Sequence, residues 1–333
     1  MTQQTVGIIG LGNLGSAVAQ LLANNGAKVV GWEFNSDIVK EVNERHSNEA
    51  YLAGVTLSKN IVATHDIGYL LEHVSTVFIT LPSRFLPSAL APLQAQMNQA
   101  AWRHIGWVNM SKGLFADSGK TSFQVLSEIC PLSPKAMLSG PSLANEITQG
   151  VPTAIVVASD HEALSAQVES LLGNAQFSVV KSDDVVGVEL GGILKNIYAM
   201  GLGFYQAQSV EGLNFAGAYL TQALNEMKSL GVALGAKAAS FDGLAGLGDL
   251  VTTALSGQSH NVKFGQLLGQ GLPLKDIEEA IGVLPEGYNA LMVAMQLAEA
   301  KSVDMPLATM IQQVIKGELE VKESLAAFSR VFS

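Results

Sequence analysis

The sequence predicts two domains: an α/β domain with a doubly wound, mostly parallel sheet, followed by an all-helical domain. Three observations support this. The chain has 333 residues, more than the roughly 250–300 at which one hydrophobic core stops growing. Short apolar runs alternate with longer amphipathic stretches up to about residue 185, as expected for strands and crossover helices. Beyond Val188 the strand pattern disappears. We therefore predict domains at residues 1–187 and 188–333.

Seven short apolar runs are the predicted strands of the first domain. They are Thr5–Ile9, Lys28–Trp32, Thr76–Leu81, Ile105–Asn109, Ala136–Ser139, Thr153–Ala158 and Phe177–Lys181. Apolar residues in the second domain recur every three or four positions, the period of a helix; examples are Leu220, Leu224, Met227 and Leu230. Asn214 is the predicted N-cap of that helix, and Gly235 and Gly282 are predicted breaks between helices.

The composition excludes several classes of protein. Apolar residues make up 48% and charged residues 14%, which excludes disorder and is compatible with an apolar subunit interface; we expect a homodimer. The net charge of −10, without a Lys/Arg-rich tract, argues against nucleic-acid binding. A small anionic substrate remains compatible with an acidic chain. The single cysteine, Cys130, permits no internal disulfide, and we expect a buried, inert thiol.

No targeting or membrane segment is expected. The first apolar run, Val6 to Leu11, is short for a signal peptide and follows no basic region. No uninterrupted apolar stretch approaches the roughly 18 residues of a membrane span. We therefore expect a cytoplasmic protein without integral membrane association. No metal site is predicted.

A glycine-rich motif follows the first predicted strand. Gly10, Gly12 and Gly15 form G-x-G-x-x-G at the start of a helical run. In the Rossmann dinucleotide-binding fold the first glycine permits a tight turn, the second lets the backbone approach a pyrophosphate, and the third allows close packing of helix on strand. The free N–H groups and the dipole of the helix N-terminus favour the phosphates. The context therefore predicts NAD or NADP binding.

Glu33 directly follows the second predicted strand, 23 residues after Gly10. This is close to the ~20-residue spacing of the acid that accepts the adenine-ribose hydroxyls. A carboxylate would repel a 2′-phosphate, and no arginine follows in Phe34-Asn35-Ser36-Asp37, so we expect NAD rather than NADP. The alternative is a glutamate that merely ends a strand in solvent.

Several further segments carry a family resemblance. They are Asn48-Glu-Ala-Tyr-Leu-Ala-Gly54, Ser111-Lys-Gly113, Leu138-Ser-Gly-Pro-Ser-Leu-Ala-Asn-Glu146, Gly187-Val-Glu-Leu-Gly-Gly-Ile-Leu-Lys-Asn196, Gly243-Leu-Ala-Gly-Leu-Gly-Asp-Leu250 and Glu286-Gly287. In order and spacing the chain resembles the NAD(P)-dependent glycerol-3-phosphate dehydrogenases over nearly its whole length. The resemblance implies reversible reduction of dihydroxyacetone phosphate, a small phosphorylated three-carbon substrate, to sn-glycerol 3-phosphate.

The resemblance also implies roles for individual residues. Lys195 would be the catalytic acid/base, with Lys112 and Asp249 beside it. Cofactor contacts would come from Gly10, Gly12, Asn13, Leu14, Gly15, Glu33, Phe34, Pro82, Lys112, Ala144, Asn261 and Glu286. Substrate contacts would come from Lys112, Gly140, Ser142, Lys195, Asn196, Asp249, Thr253, Ser259, His260 and Asn261.

A lysine suits the acid/base role chemically. As hydride reaches a ketone carbon, negative charge grows on the oxygen, and an ammonium can stabilise that charge and donate its proton. The pKa of a free lysine, about 10.4, would have to fall towards neutrality for reversible transfer, and burial beside a second cation, Lys112, would lower it. Without the resemblance, Lys195 would be read as a snorkelling surface residue.

The chain departs from the family at two positively charged positions. His260 stands where the family has the arginine implied to bind the substrate phosphate, and imidazole lacks guanidinium's permanent charge and paired donors. Gln222 replaces a second arginine, and Lys263 could compensate or be solvated. An alternative is therefore a sister dehydrogenase of the same fold that acts on a different 2-oxo or 2-hydroxy compound. A non-catalytic NAD sensor is disfavoured, because the lysines and Asp249 are all retained.

Two glycine features leave structural and functional interpretations open. Gly191, Gly192, Gly201 and Gly203 surround Lys195 in sequence and would weaken a helix, so they indicate close contact with either nicotinamide or another helix. Ser139-Gly140-Pro141 could be a strand-to-helix turn with Pro141 in the first helical position.

Overall fold

The computed structural model describes residues 4–93, 102–210, 212–257 and 259–332. The chain folds as two compact units. The first comprises Met1–Ser111 and Ser122–Val185, and the second comprises Lys112–Thr121 and Val186–Ser333. The short segment Lys112–Thr121 thus groups with the later part of the chain.

The first unit is built on an eight-stranded sheet in the order β3-β2-β1-β4-β5-β6-β7-β8. The strands are β1 Thr5–Ile9, β2 Lys28–Trp32, β3 Ile61–Thr64, β4 Thr76–Ile79, β5 Gly106–Asn109, β6 Lys135–Ser139, β7 Thr153–Ala158 and β8 Phe177–Ser182. Every pairing is parallel except β6 with β7. The predicted fold class is confirmed.

The strand predictions omitted one strand and placed one end of β4 two residues too far, and one end each of β5, β6 and β8 differs by a single residue. The prediction omitted β3, a four-residue strand with pattern buried-exposed-buried at the sheet edge, where so short an apolar run gives little periodic signal. Strand β4 ends at Ile79 rather than Leu81. Thr80 still donates its N–H to Ile9 O before the chain turns away.

Helices cover both faces of this sheet. They are α1 Asn13–Asn24, α2 Ser36–Arg45, α3 Ile67–His73, α4 Leu86–Leu90, α5 Ser122–Ile129, α6 Ala144–Gln149 and α7 Glu162–Leu172, with 3₁₀ turns at Ser83–Phe85 and Ala91–Leu93. Neighbours along one strand enter opposite apolar clusters: Ile8 lies in one and Ile9 in the other. This alternation gives the two-sided core of a doubly wound sheet.

The sheet's direction of winding reverses at β1, which lies between β2 and β4. Doubly wound sheets bind their ligands outside the carboxyl ends of the strands at such a switch point. Gly10 follows the carboxyl end of β1 directly. The fold therefore places the glycine motif at the expected edge.

The second unit is helical. Its helices are α8 Val185–Ala207, α9 Leu213–Ala233, α10 Ala238–Asp242, α11 Asp249–Leu255, α12 His260–Gly269, α13 Leu274–Ile281, α14 Glu286–Lys301, α15 Pro306–Lys316 and α16 Val321–Ala327, with a 3₁₀ turn at Phe328–Phe332. Helix α8 is long and apolar enough to cross a membrane, but 89% of its most apolar window is buried. A helix that is apolar on all sides is the central helix of a core.

Three of the five glycines in α8 lie against other helical segments of this unit. A Cβ on Gly191 would lie 2.4 Å from Ala245 O, one on Gly201 would lie 2.3 Å from Tyr219 Oη, and one on Gly203 would lie 2.3 Å from Val262 O. These separations are far below van der Waals contact. For these three positions the structure therefore supports close helix packing.

Two local predictions were wrong and two are confirmed. Helix α9 begins after Gly212, not Asn214, and α6 begins at Ala144, so Pro141 is not in its first position. Helix α9 ends just before Gly235 (φ +99°), and α13 ends at Gly282 (φ +78°). Positive φ angles suit glycine because it lacks a Cβ.

Candidate functional site

The glycine motif forms a tight turn between β1 and α1. Gly10 has φ +99°, and a Cβ there would lie 2.7 Å from Leu81 Cδ2. A Cβ on Gly15 would lie 1.9 Å from Gly10 O. Any side chain at either position would displace the turn from the helix.

Gly12 differs from its two partners, because no heavy atom lies within 4 Å of its hypothetical Cβ. It is the N-cap of α1 and supplies no side chain to the helix's free N–H groups. Open space beside unhindered backbone donors is what an approaching pyrophosphate requires. The turn therefore fits a dinucleotide.

Glu33 directly follows β2, as predicted, but it is only 4% exposed. Its Oε2 accepts the Leu11 N–H at 3.1 Å, and its Oε1 accepts the Asn35 N–H at 3.1 Å. The structure therefore excludes the solvated glutamate considered as the alternative. Phe34, the next residue, is 73% exposed.

The other predicted cofactor residues of this unit, and the predicted substrate residues Gly140 and Ser142, are dispersed around the sheet's carboxyl edge. Asn13 donates its amide to Tyr51 O at 2.6 Å, and Leu14 packs on the core. Pro82 is exposed after β4. Gly140 has φ +124° and follows β6; its carbonyl accepts the Ser142 hydroxyl at 3.0 Å. Ala144 is buried at the start of α6.

The second unit brings four predicted residues together. Asp249, 1% exposed, accepts the Lys112 ammonium on Oδ2 at 2.7 Å and the Lys195 ammonium on Oδ1. Lys195 also donates to Thr253 Oγ1 at 2.5 Å. A carboxylate thus bridges two ammonium groups, one of which is nearly enclosed.

Local backbone structure positions Asp249. A π-helical turn at Leu244–Gly248 leads directly into α11, whose first residue is Asp249. A Cβ on Gly246 would lie 2.1 Å from Phe241 O, so the wide turn requires glycine there. Such π-turns occur frequently at functional sites. Lys195 and Thr253 reach the carboxylate from α8 and from one turn further along α11.

Burial and charge shift the pKa values of this group. Burial lowers the pKa of Lys195, attraction to Asp249 opposes this effect, and repulsion from Lys112 adds to it; together these influences bring the pKa to about 7. Burial alone would raise the pKa of Asp249, but the attraction of Lys112 and Lys195 outweighs it and holds that pKa below its usual value. A lysine that titrates near neutral pH can both donate and accept a proton.

Asn196 and Asn261 form a second contact in this unit. Asn261 Nδ2 donates to Asn196 Oδ1 at 3.1 Å, and Asn261 Oδ1 accepts the Gly287 N–H at 3.0 Å. Glu286, the residue before Gly287, is the first residue of α14. Asn196 adjoins Lys195 in α8, so the asparagine pair ties three helices together beside the lysine.

His260 is the first residue of α12 and is exposed. Ser259 is the N-cap of this helix, and its hydroxyl accepts the Val262 N–H at 3.3 Å. Lys263 is also exposed. The position of His260 places an imidazole at the positive end of a helix dipole, where an anion is favoured.

Gln222, the other departure from the family, does not carry a free polar group. Its amide donates to Glu226 Oε1 at 3.0 Å. Glu226 is buried and also accepts the N–H groups of Leu307 and Ala308 at the start of α15. Burial raises the pKa of Glu226, and these hydrogen bonds oppose the rise. Gln222, which replaces the family's arginine, therefore contacts a buried structural carboxylate.

Two residues without a predicted role, Asn48 and Ser16, contact the glycine turn. Asn48 donates to Leu11 O at 2.7 Å and to Ser16 Oγ at 2.9 Å. The sequence carried a signal for both residues, since Asn48 begins one of the family-like segments and Ser16 follows Gly15.

Among the described residues no cluster of His, Cys, Asp and Glu could hold a metal ion.

A dinucleotide turn on a doubly wound sheet and a buried lysine that titrates near neutral pH define the class of an NAD(P)-dependent dehydrogenase. Profiles described as the N-terminus and the C-terminus of NAD-dependent glycerol-3-phosphate dehydrogenase match residues 5–165 and 184–326. The chain belongs to this family, as the resemblance predicted, and is an NAD(P)-dependent oxidoreductase.

Individual relatives agree with the family assignment. The glycerol-3-phosphate dehydrogenase [NAD(P)+] of Pseudomonas putida is 39% identical over 94% of this chain and 90% of its own length. The Lysinibacillus sphaericus enzyme of the same name is 34% identical over 97% and 95%. A crystal structure of glycerol-3-phosphate dehydrogenase from Coxiella burnetii matches with a TM-score of 0.90 at 32% identity, covering 98% of both chains. These similarities favour this activity over the sister dehydrogenase.

Proposed function

We propose that the chain reversibly reduces dihydroxyacetone phosphate to sn-glycerol 3-phosphate, with Lys195 as the general acid/base. The observation that carries this proposal is the enclosed lysine held by Asp249 and Thr253, whose pKa burial lowers to about 7. Bound NAD(P)H supplies the hydride. The first unit then acts as the dinucleotide-binding domain and the second as the substrate domain, with the predicted boundary near residue 187.

Lys195 provides the proton that reduction of a ketone requires. In the ammonium form it donates a hydrogen bond to the substrate's carbonyl oxygen and transfers its proton as negative charge grows there. In the reverse direction the neutral amine accepts the hydroxyl proton. Because the lysine titrates near neutral pH, neither form is scarce under physiological conditions.

Asp249, Lys112 and Thr253 set the position and charge of Lys195. The carboxylate and the hydroxyl hold its ammonium from two sides, which leaves one of its three N–H donors for substrate. Lys112 contributes a second positive charge on the opposite oxygen of Asp249. That charge stabilises the growing alkoxide and lowers the pKa of Lys195. Asn196 and Asn261 support the same helix positions.

The start of α12 is the proposed contact for the substrate phosphate. His260 lies at the first helical position, where backbone donors and the helix dipole favour an anion. Imidazole offers one hydrogen bond where the family's arginine offers two, so we expect weaker phosphate binding than an arginine would give. Exposed Lys263 is one turn away and can share the charge.

NADH is the proposed preferred cofactor. The open face of Gly12 and the uncapped start of α1 fit the pyrophosphate of either dinucleotide. The residues after β2 include no lysine or arginine before Lys40, so the segment that follows Glu33 offers no cation to a 2′-phosphate. We further propose a homodimer, in keeping with the apolar composition. We also propose a cytoplasmic location.

A substrate comparison tests the activity. The purified chain should oxidise NADH with dihydroxyacetone phosphate and not with unphosphorylated 2-oxo acids. Lys195→Ala should abolish turnover while NADH binding, followed by nicotinamide fluorescence, persists. Faster turnover of an unphosphorylated oxo acid would reject the assignment in favour of the sister dehydrogenase.

His260→Arg tests the phosphate contact. A charge-assisted bond contributes about 1.5–3 kcal/mol, so the KM for dihydroxyacetone phosphate should fall by about tenfold or more. The matched control is His161→Arg, which adds the same charge at an exposed residue preceding α7 and should leave this KM unchanged. Equal effects of the two substitutions would remove His260 from the phosphate site.

A further inference from the structure

Leu11, the residue between the first two motif glycines, is held through all of its groups. Its N–H donates to Glu33 Oε2 at 3.1 Å, and its carbonyl accepts Asn48 Nδ2 at 2.7 Å and Ser16 Oγ at 3.0 Å. Its side chain is 1% exposed and lies on β2, where a Cβ on Gly31 would be 2.7 Å from Leu11 Cδ1. Three side chains thus contact the Leu11 backbone, those of Glu33, Asn48 and Ser16.

We propose that Glu33 and Asn48 are positioning residues that fix the Gly10–Gly12 backbone for the dinucleotide, and that they act equally on NAD and NADP. This role rests on dinucleotide binding at the turn, as proposed above. It differs from the ribose-selecting role expected of an acid at the end of the second strand. An ordered turn binds more tightly because less conformational entropy is lost when the pyrophosphate arrives.

The surroundings of Glu33 support a positioning role. Both carboxylate oxygens accept backbone N–H groups of its own unit, from Leu11 and from Asn35, and the residue is 4% exposed. These bonds fix the carboxylate in one orientation and join the turn after β1 to the turn after β2. Glu33 therefore holds backbone groups of the protein, and a change in their position would affect the binding of NAD and of NADP alike.

The surroundings of Asn48 give independent support. The residue is fully buried, and its Oδ1 has no hydrogen-bond partner within the described part of the chain. A flipped amide would place that oxygen against Leu11 O, so the two donated bonds set its orientation. An asparagine buried with one unpaired acceptor is needed here for its donors. The segment that begins at Asn48 also holds α1 directly, because Tyr51 O accepts the Asn13 amide.

Asn48→Leu tests the proposal, because it keeps the branch at Cγ and removes both donated hydrogen bonds. Two hydrogen bonds at about 0.5–1.5 kcal/mol each predict a rise of about tenfold in the dissociation constants of both NADH and NADPH. Their ratio should stay within about twofold. The KM for dihydroxyacetone phosphate at saturating NADH should not change. Fluorescence titration of the full chain measures the two dissociation constants.

The matched control is Asn43→Leu. Asn43 forms two comparable hydrogen bonds, with Ala63 N at 2.8 Å and Ala63 O at 2.9 Å, and these do not involve the glycine turn. The Asn43→Leu substitution should lower the melting temperature of the protein and leave the dissociation constants of NADH and NADPH unchanged. If Asn48→Leu does not fold, Ser16→Ala removes one bond to Leu11 O and should weaken both dinucleotides about threefold.

Glu33→Ala distinguishes positioning from ribose selection. The proposal predicts weaker binding of NADH and NADPH by the same factor. Weaker NADH binding with unchanged or tighter NADPH binding would overturn it, as would wild-type affinities in Asn48→Leu. Failure of the proposed function gives a different result: the wild-type chain would bind NADH but not turn over dihydroxyacetone phosphate.

Discussion

Asp249→Asn removes the negative charge that bridges Lys112 and Lys195. The side chain is 1% exposed, so solvent cannot replace the carboxylate. Of the influences on Lys195, attraction to Asp249 raises its pKa, whereas burial and Lys112 lower it. In the variant only the lowering influences remain. The pKa of Lys195 must therefore fall below its wild-type value of about 7.

The magnitude follows from the lost interaction. A charge-assisted hydrogen bond is worth about 1.5–3 kcal/mol, and one pKa unit corresponds to about 1.4 kcal/mol, so the pKa should fall by about one to two units. Ketone reduction needs the ammonium form, whose population declines as pH rises through this pKa. At pH 8 the reduction rate should consequently fall by about ten- to a hundredfold, with a smaller loss near pH 6. Oxidation of glycerol 3-phosphate needs the neutral amine and should be less affected.

Initial rates of NADH oxidation with dihydroxyacetone phosphate between about pH 5.5 and 9 would measure this effect. The alkaline limb of the profile should move to lower pH in the variant. The matched control is Asp242→Asn, the same change in an ion pair with Lys228 in which Asp242 is 55% exposed; its profile should match wild type. An alkaline limb that stays in place or moves to higher pH would refute the role assigned to the Asp249 charge.

Two further predictions concern packing and the lone thiol. Gly191→Ala should lower the free energy of unfolding by about 1–3 kcal/mol, because its Cβ would lie 2.4 Å from Ala245 O. Gly217→Ala in α9, with no atom within 4 Å, should instead raise it by about 0.5–1 kcal/mol; chemical denaturation measures both, and equal effects would contradict the packing account. Burial raises the pKa of Cys130 to about 12, so iodoacetamide at pH 8 should label it only after denaturation, as followed by mass spectrometry. Rapid labelling of the native chain would show that the thiol is accessible.

Much of the first unit could be predicted because its signals are local. A buried parallel strand needs a short apolar run, and a dinucleotide turn needs glycines at fixed spacing, so Thr5–Ile9 and Gly10–Gly15 were evident in the sequence. Strand β3 was missed because four residues at a sheet edge show little periodicity. The N-cap of α9 was misplaced because Gly212 supplies no capping side chain.

By itself, the sequence determined the fold class, the turn chemistry and the residue types of the candidate site, because these depend on spacing along the chain. Only the tertiary structure decided which charges meet. Lys112 and Asp249 are separated by 137 positions and Lys195 and Asp249 by 54, yet one buried carboxylate contacts both ammonium groups. The pKa of Lys195 is lowered by desolvation, and Glu33 is buried through contacts with residues distant in the chain. Neither effect has a signature in local sequence.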